Sequence, residues 1–155
     1  MLVQRCALEQ NRLIVPVSIT RPNFQSGSFE SAFNQHQYRA LVDTGAQRSV
    51  IARSIAADLK LMRTGHMQFA GLHGPKTHTR YLAAIAFWVK RIPPSASHRD
   101  YESAELTLFS IEEPFEIVDM DENANFEMIL GFDILKLFTF SFSASDGIFE
   151  LRVKS

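Results

Sequence analysis

Apolar and polar positions alternate in short runs along most of this chain, and turn-forming residues interrupt the runs at close intervals. A period of two predicts strands, because successive side chains of an extended chain point to opposite faces. The first two are Leu2–Ala7 and the β-branched run "RLIVPVSIT", with "LEQN" as the hairpin turn between them. Strands follow at "YRALVD" and "SVIA". "HMQFAGLHGPKTHTRYLAAIAFWV" reads as two strands around a Gly/Pro-rich tip, and "AELTLF", "FEIVDM" and "FEMILG" continue the series. In the closing hairpin Phe138, Phe140 and Phe142 alternate with Thr139 and Ser141, so one face is apolar. "SASDG" supplies its turn, and Phe149, Leu151 and Val153 share a face of the returning strand.

Helical spacing is confined to "RSIAADLKL", through Ile55, Ala56 and Leu59, and to the short "FDILKLF". The class is therefore all-β with one or two short helices, in a single domain over residues 1–155. Residues 21–36 and 90–103 are polar and rich in turn formers. They read as exposed, mobile loops whose trimming costs little stability.

Composition narrows the function classes. Apolar residues make up 46% of the chain and charged residues 21%, a balance that supports an ordinary core. A net charge of -1 argues against a nucleic-acid surface. The lone cysteine, Cys6, excludes an intrachain disulfide framework and a thiolate zinc site. Arg5, Glu9 and Arg12 break the N-terminal apolar residues before a signal-like run develops, and no segment approaches the roughly 20 apolar residues of a membrane span. The expectation is a soluble, cytoplasmic protein with no membrane partner.

Candidate chemistry centres on "ALVDTGAQRSVI", where Asp43 follows an apolar strand and Thr44 and Gly45 follow at once. One reading is a strand ending in an Asx-type turn, with Gly45 at positive φ. The other is a carboxylate held rigidly by backbone N–H groups. Two such carboxylates in contact share one proton, so one can act as base on a water while the other acts as acid. Further along, "EMILGFDIL" runs an apolar pair straight into Gly131 and then a helix.

Together, "ALVDTGAQRSVI" and "MILGFDIL" resemble the retropepsin-like aspartic proteases, the single-domain family of retroviral proteases and their cellular and bacterial relatives. The resemblance implies a retropepsin-like acid-protease fold and an aspartic endopeptidase that hydrolyses peptide bonds as a homodimer, without cofactor or metal. Asp43 then stands as the catalytic aspartate, one per chain. Thr44 stands as the hydroxyl tying the two active-site loops together across the dimer. Gly45 would offer its carbonyl to a peptide or protein substrate, and Ala46 would lie beside that peptide. Ile129, Leu130 and Gly131 stand as the segment supporting the loop. The tip of "FAGLHGPKTHT", at Gly71, Leu72, His73 and Gly74, corresponds to the flap that folds over substrate; Pro75 beside it removes a donor. A shared proton implies an acidic or mildly acidic optimum. The alternative is a catalytically silent dimerisation or peptide-binding module.

Other features read as structure. His66, His73 and His78 lack the spacing of metal ligands and are expected as solvated hairpin histidines. "DMDENANFE" lacks the glycine and ligand spacing of a calcium loop. Asp146–Gly147 follows no buried apolar run and belongs to its hairpin. Finally, Gln47 and Phe132 occupy positions where retroviral members commonly carry an acidic residue and an Arg that brace the dimer. Losing both avoids stranding a buried charge, and Phe132 would supply apolar burial instead.

Overall fold

The structure, a computed structural model, describes residues 1–24, 33–71, 74–95 and 98–154. Among these, eleven strands join one sheet: β1 (Leu2–Ala7), β2 (Ile14–Thr20), β3 (Tyr38–Val42), β4 (Val50–Ala52), β5 (Met62–Gly71), β6 (Gly74–Arg91), β7 (Leu106–Ser110), β8 (Phe115–Met120), β9 (Met128–Leu130), β10 (Phe138–Ser143) and β11 (Ile148–Val153). Three short helices, α1 (Arg53–Asp58), α2 (His98–Ser103) and α3 (Phe132–Leu135), complete the chain. Strands with one covered and one open face follow the alternating pattern. One strand departs from it because both of its faces are covered, although the sequence still marks it as a strand.

That exception is β6, the spine of the sheet. Ala83, Ala84, Ile85, Ala86 and Phe87 are all fully buried, so this stretch reads as a continuous apolar run. Its N-terminal part pairs with β5, from Met62 against Leu82 to Gly71 against Gly74. Further on, β2 and β7 pair along it, both antiparallel. Phe87 meets Phe138 edge to face at 4.7 Å between ring centres, which packs the closing hairpin onto the core.

A second feature decides where chemistry can sit. Strand β9 is inserted between β3 and β4, parallel to the first and antiparallel to the second. The connection from β3 to β4 must therefore pass around the end of β9. That connection contains Asp43.

Several local expectations change. The "LEQN" turn is tight, with Gln10 and Asn11 at φ 50° and 61° and with Glu9 and Arg12 exchanging backbone hydrogen bonds at 3.0 and 2.9 Å. Both central residues lie in the left-handed region, but the expected β1–β2 hairpin does not form: Glu9 and Arg12 make a lone bridge, and β6 lies between β1 and β2 in the sheet. The stretch 90–103 is not an exposed loop. Lys90 and Arg91 finish β6, His98–Ser103 forms α2, and Ile92 and Tyr101 pack with Val3 in a small buried cluster. The Tyr101 hydroxyl accepts the Arg5 N–H at 2.8 Å, while Lys90 Nζ donates to the Tyr101 and Glu102 carbonyls at 3.0 Å. One buried aromatic anchors a segment whose polar composition resembles a loop. Of 21–36, residues 25–32 lie outside the described residues, and Pro22 is buried.

Candidate active site

Asp43 is the first residue beyond β3 and is half-buried. Its N–H donates to the Leu130 carbonyl at 3.1 Å, which fastens the start of the loop to the end of β9. One carboxylate oxygen, Oδ1, accepts the Gly45 N–H at 2.9 Å, and the Asp43 carbonyl accepts the Ala46 N–H at 3.2 Å. Among the described residues Oδ2 has no hydrogen-bond partner. The aspartate is therefore oriented through one oxygen and leaves the other for chemistry.

The turn is of the Asx type, but Gly45 is not at positive φ as that reading supposed. The backbone instead approaches the carboxylate closely. A Cβ at position 45 would stand 3.2 Å from Asp43 Oδ1, against the oxygen that the Gly45 N–H must reach.

Gly131 is more tightly constrained. A Cβ there would come within 2.6 Å of the Arg48 carbonyl carbon and 2.9 Å of the Ala46 oxygen, both backbone. The close approach lets the Phe132 N–H donate to the Ala46 carbonyl at 2.7 Å. Leu130 is buried and Ile129 half-buried beneath the same loop, with backbones paired to Val42 and Val50. The three residues thus lie directly under the Asp43 loop.

Sequence reasoning missed the lock behind this contact. Ser49 is fully buried; its hydroxyl accepts the Gly131 N–H at 2.9 Å and donates to Asp133 Oδ1 at 2.7 Å. Asp133 Oδ2 accepts the Ser49 N–H at 3.0 Å. Ser49 and Asp133 were both visible in the two motifs, but nothing in either motif alone says that they meet.

Thr44 is exposed and lines a cavity of about 170 Å³ with Phe132, Phe138, Phe140 and Lys154. Phe132 is 59% exposed and Phe140 40%, so apolar surface stands uncovered beside the loop. Gln47 is also exposed.

In the flap candidate, Gly71 pairs with Gly74, which has φ 97° and open space around it. Leu72 and His73 lie outside the described residues. The root of the hairpin is tied to β8 through Asp119, which is 3% exposed. Asp119 Oδ1 accepts the Thr79 N–H at 3.1 Å, and Oδ2 accepts Arg53 Nε at 3.1 Å. His78 Nδ1 lies 2.8 Å from the Asp119 carbonyl oxygen and 3.2 Å from Oδ1. His78 is therefore no solvated hairpin histidine: it packs against Asp119 and edge-on to Phe69. His66 is exposed. Nearby, the Lys76 ammonium and then Arg53 hold the exposed Asp121 carboxyl below the usual range. The one signal for Asp119 was a carboxylate inside an apolar strand, "FEIVDM". Among the described residues, no three His, Cys, Asp or Glu side chains gather as a metal site.

Comparison with known proteins bears on the fold. A family described as "gag-polyprotein putative aspartyl protease" matches residues 29–86, which include the Asp43 loop and the β5–β6 hairpin but stop short of Gly131. No curated protein matches the sequence. A crystal structure of a retropepsin-like aspartic protease from Rickettsia conorii superposes with a TM-score of 0.52 at 13% identity, covering 96% of this chain and 90% of that one. The retroviral protease-like domain of Ddi1 from Leishmania major gives 0.47 at 18% identity, over 93% of this chain and 94% of its own.

Proposed function

We propose that this chain, which is retropepsin-like in fold, is an aspartic-type endopeptidase acting as a homodimer. Asp43 of each copy would meet its counterpart across a two-fold axis. Like carboxylates in contact cannot both ionise, so the pair holds one proton. The ionised member takes a proton from a water bound between them, the water attacks the peptide carbonyl, and the protonated member donates to the carbonyl oxygen. Proton transfer to the amide nitrogen then releases the two products. The pair titrates as a unit.

The observation that carries this reading is the Asp43 carboxylate itself, pinned by the Gly45 N–H at 2.9 Å through Oδ1 and free at Oδ2. A structural Asx turn needs only the pinned oxygen; a shared proton needs the other. The uncovered Phe132, beside Thr44, supports association at that face. In this reading Thr44 links the two loops, Gly45 and Ala46 border the peptide, and the hairpin ending at Gly71 and Gly74 covers it.

A peptide library incubated between about pH 4 and 7 tests the proposal. Wild type is expected to cleave and Asp43→Asn to be silent, with both equally folded. Equal product from the two proteins would show that Asp43 does not carry the cleavage, and none from either would leave the silent binding module as the better account.

A further inference from the structure

A polar cavity of about 490 Å³ lies between α1 and the root of the β5–β6 hairpin. Three cations line it, Arg53, Lys60 and Arg63, against one carboxylate, Asp119. Asp119 is buried and already engaged by Arg53 Nε, the Thr79 N–H and His78, so it balances Arg53 and leaves the other two uncompensated. Asp121 likewise faces Arg53 and Lys76. Among the described residues the side chains of Lys60 and Arg63 have no hydrogen bond or ion pair.

Lys60 carries a second and independent mark. Helix α1 closes with the Lys60 N–H donating to Ala57 O and the Leu61 N–H donating to Ala56 O, each at 3.0 Å. That is the Schellman pairing, whose left-handed residue is most often glycine. Here it is Lys60, at φ 51°. The chain keeps a long cationic side chain where the backbone favours none.

We infer that this cavity binds an anionic ligand through a phosphate or carboxylate group, held between Lys60 and Arg63. Charge-assisted hydrogen bonds from an ammonium and a guanidinium suit either group. Thr79 and Tyr81, in the same wall, add hydroxyl groups. Lys60 follows α1, whereas Arg63 and Thr79 belong to the two strands of the hairpin. A bound anion therefore joins the helix to the hairpin root. The site is separate from the Asp43 chemistry and does not depend on it.

Titration of the full chain followed by amide NMR tests this, with inorganic phosphate in one arm and citrate in the other. Sodium chloride at equal ionic strength is the control. Saturable shifts at Lys60, Arg63 and Thr79 are expected in at least one arm, and which arm responds identifies the anion. Lys60→Gly should fold at least as stably, since glycine suits the left-handed position, yet bind roughly tenfold more weakly. Arg63→Ala should weaken binding by a similar factor. Shifts reproduced by chloride, or full-strength binding by both variants, would overturn the inference.

Discussion

Ser49 Oγ donates to Asp133 Oδ1 at 2.7 Å and at the same time accepts the Gly131 N–H at 2.9 Å. One buried hydroxyl thereby fixes both the loop that carries Asp43 and the segment beneath it. Ser49→Ala strands the Gly131 N–H without a partner and takes one bond from Asp133. The expected loss is about 1–3 kcal/mol, the cost of an unsatisfied buried donor. In urea the midpoint should fall while the slope stays constant. An unchanged midpoint would show that the loop is held by its backbone contacts alone.

Acid stability should depend on Glu150. Burial pushes its carboxyl up, but the hydrogen bonds from Arg152 and Arg5 outweigh that and leave it below the usual value. A depressed folded-state value means that stability is fully present above the ordinary carboxylate range and is lost as pH falls through the folded value. The β1–β11 pairing, where Arg5 lies opposite Glu150, should thus weaken below about pH 4. Melting temperatures between about pH 7 and 3 should fall at the acid end, and Glu150→Gln should flatten that decline while lowering stability at neutral pH. Parallel curves for the two proteins would contradict this assignment. An enzyme with an acidic optimum would work close to this limit.

Tyr101→Ala should destabilise substantially, although it lies in a stretch of loop-like composition. The ring is buried with Val3 and Ile92, it lies beneath the Arg5 guanidinium at 4.4 Å, and its hydroxyl caps the Arg5 N–H. Truncating a buried aromatic costs about 3–5 kcal/mol. Chemical denaturation would measure it, and a cost within about 0.5 kcal/mol, typical of surface changes, would restore the loop reading.

The contrast between Tyr101 and Asp43 shows what was legible in the sequence. Strands such as Leu2–Ala7 and Phe115–Met120 could be read to the residue, because alternation records which face is covered. Asp43, Gly45 and Gly131 stood out through the two short motifs that carry them, although the reason expected for Gly45, a positive φ, is not the one the structure shows. Helix α2 could not, since a single buried ring holds it and Ser, His and Asp carry no helical period. The Ser49–Asp133 and His78–Asp119 contacts join residues far apart in the chain, so only the fold brings them together.

Phe132→Asp should prevent the proposed dimer from forming. Phe132 and Gln47 stand where a charged brace would otherwise be expected, and Phe132 is 59% exposed in the single chain. Apolar contact contributes roughly 25 cal/mol per Å² covered and is not screened by salt. Sedimentation should therefore show a wild-type dimer that persists at high salt and a variant that is monomeric. Dissociation of wild type by salt would point instead to charged contacts.

In the proposed enzyme two copies of Asp43 form one site. Specific cleavage activity should be measured across a dilution series, with sedimentation of the same samples. The prediction is that activity per chain falls on dilution in step with the dimer fraction. Constant activity in a chain that sediments as a monomer would contradict a shared site, and a stable dimer with no turnover at any pH would contradict the enzyme.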